Sequence, residues 1–138
     1  MAIPDRDAKS DLAISLISVQ VLLATSHPAT ARRVMSVLVR QGSSGNFIAG
    51  PAVTLHQISI AVSPGGRAIT LADRSATGRC WYARQETTSG VVKRLRHQIP
   101  PLGSSFNGSP AGEPQKSCAA SGVANARLVG PWRPTFPN

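Results

Sequence analysis

The sequence predicts an α+β domain in which one long N-terminal helix packs on a three- to four-stranded antiparallel meander. Three patterns predict it: apolar residues at three- and four-residue steps near the N-terminus, alternating apolar residues in the middle, and a C-terminal part rich in Gly, Ser and Pro. The length of 138 residues suits a single domain. We assign residues 1–27 to the helix, 28–52 to a connecting segment, 53–99 to the sheet and 100–138 to a C-terminal loop and tail.

The predicted helix runs from Asp5 to Ala24, with acidic residues near its start that favour the helix dipole. One apolar stripe is expected to face the sheet, and it consists of Leu12, Leu16, Val19 and Leu23. Because the helix is apolar almost all round from Leu16 to Leu23, a second contact with a neighbouring subunit is also expected.

The connecting segment is less clearly patterned. His27-Pro28 is expected to end the helix, because the residue before a proline avoids the helical region. Ala31 to Arg40 fits a short helix or a strand equally well, and Gln41 to Gly50 reads as a Gly/Ser loop.

The middle of the chain predicts strands. Val53–Val62 and Arg67–Arg74 form a hairpin around the turn Ser63–Gly66. Gly78–Glu86 is the third strand, and Val91–Ile99 is a weaker fourth.

Side chains alternate across the third strand. Cys80 and Tyr82 are expected on one face and Trp81 on the other. Trp81 and Tyr82 therefore cannot form one platform for stacking bases, which weighs against binding of single-stranded nucleic acid.

The chain is strongly basic, with a formal net charge of +9 and a pI near 11.3. Such a field attracts nucleic acid, acidic polysaccharide or an anionic membrane surface. The densest basic cluster is Lys93, Arg94 and Arg96. It is interpreted either as an edge strand protected by charge against mispairing or as a patch that binds polyanions.

The two cysteines, Cys80 and Cys118, lack the spacing of a metal site. They form either one disulfide or two separate buried thiols, and a disulfide would indicate an oxidising compartment. Residues 1–11 contain charged side chains and no apolar stretch of the kind found in signal peptides. The chain as given is therefore expected in the cytoplasm, and a longer precursor with an N-terminal helix would place it in the cell envelope or outside the cell.

No arrangement of residues predicts catalysis. His27, His56 and His97 are far apart, so neither a metal site nor a Cys/His pair is expected. The glycine-rich turns lack the spacing of a phosphate-binding loop. We expect no cofactor, no metal, no small-molecule substrate and no enzymatic activity.

Several segments together resemble the soluble head of actinobacterial type IV pilin-like proteins and pseudopilins. They are the hairpin with Ile58–Val62, Gly65-Gly66 and Ile69–Ala72, the strand with Cys80-Trp81-Tyr82, the segment Ser117–Ala120, and the closing Trp132, Pro134 and Phe136. The resemblance implies a structural subunit without catalytic activity. Its partners would be other pilin-like subunits or cell-envelope assembly machinery, and it would contact the membrane only through a hydrophobic N-terminal helix missing from this sequence. The alternative is a small basic domain that binds nucleic acid or another polyanion.

Overall fold

Helix α1 is the longest element, and the prediction of its position is confirmed. The computed structural model describes residues 3–26, 29–41, 46–95 and 103–137, and α1 spans Ile3–Thr25. The expected stripe packs on strands of the sheet and is buried, with exposed fractions of 0% for Leu12, 3% for Leu16 and 0% for both Val19 and Leu23. The predicted end at His27-Pro28 lies outside the described residues.

Helix α2 spans Ala31–Gln41, which resolves the choice between helix and strand. Thr30 caps its start, because the Thr30 hydroxyl accepts a hydrogen bond of 3.3 Å from the backbone N–H of Arg33. Val34 and Leu38 are buried at a four-residue spacing. A strand would have placed alternate residues on one face, whereas this apolar spacing matches a helix.

Among the described residues, the sheet has five strands in the order β1 to β5, and they are β1 (Phe47–Ile48), β2 (Ile58–Val62), β3 (Ala68–Arg74), β4 (Cys80–Glu86) and β5 (Ser104–Gly108). The predicted hairpin and third strand are confirmed as antiparallel neighbours. The prediction of a purely antiparallel meander of three or four strands is wrong, because β1 pairs with β2 in parallel and a fifth strand is present. The sheet is therefore mixed.

The predicted strand Val53–Val62 is too long at its N-terminal end. The Gln57 side-chain oxygen accepts hydrogen bonds from the backbone N–H groups of Val53 at 2.9 Å and Thr54 at 3.4 Å, which closes a turn. His56 has a positive φ of 66°, which lies in the left-handed region and outside the range of regular strands. Side-chain capping thus overrides the β-propensity of this segment.

The predicted fourth strand, Val91–Ile99, is wrong where the structure describes it. Ser89–Leu95 forms helix α3, with Val92 buried and Leu95 half-buried in the core beside α1. Residues 96–99 lie outside the described part of the chain. The three-residue spacing of Val92 and Leu95 suits a helix packed on α1.

The place beside β4 belongs to β5, within the segment assigned to a C-terminal loop. Its sequence, Ser-Ser-Phe-Asn-Gly, lacks the alternation that marks a strand. Gly108 is required there by close approach, since a Cβ atom would lie 2.7 Å from the Trp81 ring. Pairing with β4 therefore creates this strand.

The sheet has a buried core on each face. On the inner face, Ile69, Leu71 and Trp81 pack with the helices. On the outer face, Tyr82 and the two cysteines pack under the C-terminal segment, which contains a short 3₁₀ helix at Ala120–Asn125. The prediction that Trp81 and Tyr82 point to opposite faces is confirmed.

Candidate interaction surfaces

A disulfide joins β4 to the C-terminal segment, as one of the two sequence alternatives predicted. The sulfurs of Cys80 and Cys118 are 2.02 Å apart. Cys118 also forms a two-residue bridge with Ala52, in which each backbone N–H donates to the carbonyl of the other residue, at 2.8 and 2.9 Å. The disulfide therefore attaches the C-terminal segment to the outer face of the sheet. Within the described residues, no group of three or more His, Cys, Asp and Glu is arranged to hold a metal ion.

Helix α1 exposes a second apolar stripe opposite the buried one. Ile14 is 66% exposed, Ile17 58% and Val21 53%. Their spacing of three and four residues places them along one side of the helix, which we call the outer stripe. The sequence has no Asp, Glu, Lys or Arg from Leu12 to Ala31, although the chain carries a net charge of +9. The outer stripe is therefore an uncharged apolar surface on a strongly basic molecule.

The N-terminal end of α1 is fixed to the sheet by Asp5. Its carboxylate accepts hydrogen bonds from the Thr77 hydroxyl at 2.9 Å and from the Trp81 indole N–H at 3.3 Å. Burial by itself would raise the pKa of Asp5, but hydrogen bonds from Ser75, Thr77 and Trp81 and the charge of Arg79 outweigh it, so the pKa lies below 3.8. The carboxylate is thus held in its charged form.

Two cations enclose the Trp81 ring beside Asp5. Lys9 lies 4.3 Å and Arg79 4.1 Å from the ring centroid. Lys9 also donates a hydrogen bond of 3.0 Å to the carbonyl of Pro137, which joins α1 to the C-terminal tail. Burial lowers the pKa of Lys9, and the nearby charge of Arg79 lowers it further. These contacts attach the N-terminal part of α1 to Trp81 and to the C-terminal tail.

By length and composition alone, Pro4–Thr25 also qualifies as a membrane-spanning helix, and 39% of its apolar 18-residue window is buried in the fold. The core helix of a globular domain and an N-terminal signal sequence meet the same criteria of length and composition. Residues 1–11 contain no apolar stretch of the kind found in signal peptides, and residues 3–11 form only the first part of this helix.

The predicted polyanion patch is only partly described. Lys93 is exposed on α3, Arg94 lies in the same helix, and Arg96 lies outside the described residues. The interpretation as a charged edge strand is wrong for residues 93–95, which are helical. The structure instead brings four arginines that are distant in sequence around one groove, and those residues are Arg32, Arg40, Arg67 and Arg84. Their sequence spacing gave no signal of this cluster.

A buried carboxylate on β3 was missed by the sequence analysis. Asp73 is 1% exposed, and neither of its oxygens has a hydrogen-bond partner in the described part of the structure. Burial, and then the negative charge of Asp11, raise its pKa from 3.8 to about 7. Asp73 lines a cavity of about 250 Å³ together with Asp7, Asp11 and His56. The sequence could have indicated this burial, because side chains alternate along a strand and Asp73 lies on the same face of β3 as Ile69 and Leu71.

Comparison with known proteins returns no match among protein-family models, curated proteins or solved structures. The fold and the outer stripe define a disulfide-bonded α+β domain with an exposed apolar helix face.

Proposed function

We propose that this protein is a structural subunit that assembles with a second copy of itself through the outer stripe of α1. The observation that carries the proposal is the exposure of Ile14, Ile17 and Val21 on a helix whose opposite side forms the core. Large apolar side chains exposed in a row mark an interaction surface more often than isolated ones do.

Charge favours a second copy as the occupant. Two molecules of net charge +9 repel each other over most of their surfaces. The uncharged stretch from Leu12 to Ala31 is where two copies can approach without this penalty. Exposed small residues beside the stripe, Ser10 and Ala13, allow two helices to pack closely.

The resemblance to pilin-like heads supports the same proposal, since subunits of that kind pack through a long N-terminal helix. The proposed partners are therefore other pilin-like subunits or cell-envelope assembly machinery. The Cys80–Cys118 bond supports a cell-envelope or extracellular location, because disulfides persist in oxidising compartments.

The test is self-association measured by sedimentation equilibrium over a wide concentration range. Ile17→Ser combined with Val21→Ser is expected to weaken association by about tenfold or more, because central apolar contacts carry most interface energy. Val53→Ser combined with Leu55→Ser is the matched control, since these residues are 53% and 57% exposed elsewhere. Equal association of the wild type and both variants, or equal loss in both, would contradict the proposal.

The second candidate, polyanion binding, is favoured by the charge of +9. A nucleic-acid site would lose roughly 10³-fold or more in affinity between about 50 and 200 mM salt if six or more phosphates were neutralised. Replacing Lys93, Arg94 and Arg96 by Ala would reduce that dependence. Under the assembly proposal, we expect DNA, RNA and heparin to compete equally and binding to be negligible near physiological salt. Sub-micromolar binding of one nucleic acid at that salt, lost in the triple variant, would favour the alternative.

A further inference from the structure

A cavity between the N-terminal part of α1, the turn before β2 and the end of β3 concentrates negative charge on this basic molecule. Its volume is about 250 Å³, and we call it the acidic cavity. Three of the six acidic residues of the sequence, Asp7, Asp11 and Asp73, line it. Because the chain as a whole carries a net charge of +9, the charge of this cavity is opposite in sign to that of the molecule around it. Such a local field favours a cation.

The three carboxyl groups lie at different depths. Asp7 is exposed, the side chain of Asp11 is 29% exposed, and Asp73 is 1% exposed. Neither oxygen of Asp73 has a hydrogen-bond partner within the described residues. Ionisation of a buried carboxyl group without a partner is costly, and a positive charge placed nearby reduces that cost. Asp73 therefore forms an inner wall that favours a cation in the cavity in front of it.

Two cationic residues are present among the described residues that line the cavity, and neither satisfies Asp73. The His56 Nδ1 atom is directed at Asp11 at 2.7 Å, and the side chain is 63% exposed, so it lies at the mouth. The Arg74 Nε atom donates a hydrogen bond of 2.7 Å to the carbonyl of Gln115, which does not line the cavity. The charge of His56 lowers the pKa of Asp73, but burial and the charge of Asp11 outweigh it.

The remaining lining is mainly apolar and consists largely of Pro4, Ala8, Leu55 and Ala76. Leu55 is 57% exposed, so an aliphatic chain can pack on it at the mouth. The volume is below the roughly 300–1,000 Å³ of pockets for drug-sized ligands, which suits a small ligand or the end of a chain. A metal ion fits less well, because within the described residues no group of three or more His, Cys, Asp and Glu is arranged to hold one.

We propose that the acidic cavity binds a primary alkylammonium group, which belongs either to a small free amine or to a lysine side chain. The ammonium group donates hydrogen bonds to the carboxylates of Asp7 and Asp11, and its positive charge lies in front of Asp73. Its methylene chain leaves the cavity along Leu55. The site includes no residue of the outer stripe, so it stands independently of the proposed self-assembly.

Protonation of the protein opposes this binding at two residues. Below a pH of about 7, Asp73 is mostly neutral. The raised pKa of His56 keeps its imidazole charged to a higher pH than usual, and the charged imidazole competes for Asp11. An alkylammonium group stays charged throughout, since its pKa is close to the value of about 10.4 for lysine. Binding is therefore expected to strengthen as the pH rises from about 5.5 to about 8.5 and to release protons.

The first experiment titrates the protein with n-butylammonium and follows the imidazole protons of His56 and the backbone amides of residues 73–76 by NMR. The matched controls are n-butyltrimethylammonium, which has the same charge but no N–H donor, and n-butanol, which is neutral. At a pH of about 8.5, n-butylammonium is expected to bind at least about tenfold more tightly than either control, because its charge-assisted hydrogen bonds are strong. Its affinity is expected to fall by about tenfold or more at a pH of about 5.5.

Two further ligands distinguish the sources of the ammonium group. They are 1,4-diaminobutane and Nα-acetyl-lysine amide. Tighter binding of the diamine would indicate a free amine, and tighter binding of the blocked lysine would indicate a side chain of a partner protein.

The second experiment compares two variants that remove one negative charge each at a pH of about 8.5. Asp73→Asn removes the buried carboxylate, and it is expected to fold because a neutral amide avoids the cost of burying a charge. Glu86→Gln is the control, at an exposed residue of β4 outside the cavity. Asp73→Asn is expected to weaken n-butylammonium binding by about tenfold or more and to reduce its pH dependence, and Glu86→Gln to weaken it by about twofold or less.

Equal binding of n-butyltrimethylammonium would overturn the proposal, because it would show attraction by charge alone. Equal loss in both variants, or unchanged signals of His56 and residues 73–76 at about 100 mM n-butylammonium, would overturn it as well. Displacement of the amine by an equimolar amount of magnesium or calcium chloride would show a metal site instead. Failure of self-association would leave these results unaffected, since neither variant touches the outer stripe.

Discussion

The imidazole Nδ1 of His56 lies 2.7 Å from the Oδ2 atom of Asp11, which joins the turn before β2 to helix α1. Both residues line the cavity that contains the buried carboxylate of Asp73. Asp11 therefore lies between His56, which can carry a positive charge, and Asp73, which can carry a negative one. Its own negative charge affects the ionisation of these two neighbours in opposite ways. The Asp11 carboxylate stabilises protonated His56 and destabilises ionised Asp73.

Asp73→Asn is expected to stabilise the protein at pH 8 by about 1–3 kcal/mol and to have little effect near pH 4. Because the pKa of Asp73 rises from 3.8 to about 7 on folding, the folded state holds a proton that the unfolded state has lost between these pH values. Wild-type stability therefore falls as the pH rises through this range, and a neutral amide avoids the loss. Urea denaturation at several pH values measures it.

The control for Asp73→Asn is Asp7→Asn, which removes the same charge from an exposed position lining the same cavity. This change is expected to alter the free energy of unfolding by less than about 0.5 kcal/mol at either pH. If both variants responded equally, the effect would come from overall charge and not from burial of Asp73.

His56 is expected to titrate above its ordinary pKa of 6.5, because Asp11 accepts its hydrogen bond and supplies an opposite charge. A raised pKa stabilises the fold at low pH, and this contribution is lost as the pH rises through the folded-state value. Asp11→Asn should return the pKa of His56 towards 6.5. An NMR titration of the imidazole protons follows both proteins, and an unchanged pKa in the variant would contradict the assignment.

Leu16→Ala is expected to cost about 2–5 kcal/mol, because Leu16 is 3% exposed in the packed core. Ile17→Ala is its neighbouring control at 58% exposure. Measured at concentrations where the chain is monomeric, Ile17→Ala should change the free energy of unfolding by less than about 0.5 kcal/mol, since alanine also has the higher helix propensity. Similar losses in both variants would show that the two stripes are not on opposite sides of α1.

Gly108→Ala is expected to destabilise the protein by about 1–3 kcal/mol, as overpacking of a core does. The new methyl group would meet the Trp81 ring at 2.7 Å, and the ring is held between Lys9 and Arg79. Gly130→Ala is the control, because no atom lies within 4 Å of its added carbon. Thermal unfolding compares the two, and a neutral Gly108→Ala would mean that β5 can move away from Trp81.

Removal of the disulfide by Cys80→Ala with Cys118→Ala is expected to cost about 2–5 kcal/mol. The bond links residues 38 positions apart, so it restricts the unfolded chain considerably. Denaturation of the wild type with and without a thiol reductant provides the matching measurement. Two reactive thiols in the native, unreduced wild type would contradict the bond itself.

The sequence alone determined the elements whose residues are neighbours along the chain. The buried stripe of α1, the hairpin of β2 and β3, and the opposite faces of Trp81 and Tyr82 follow from fixed local periods of three to four or of two residues. The cysteine count also indicated the disulfide, although separate thiols remained an alternative. The outer stripe was also indicated by the sequence, because α1 is apolar almost all round from Leu16 to Leu23.

Only the tertiary structure decided the parts that depend on distant residues. Strand β5 exists because β4 offers it an edge, and the tail covers β5 through the pairing of Phe106 with Arg133. Burial and the charge of Asp11, which lies 62 positions earlier, together raise the pKa of Asp73, and the four arginines of the groove come together only when α2 packs beside β2. Such contacts leave no local period in a sequence, because chain folding and not spacing brings their members together.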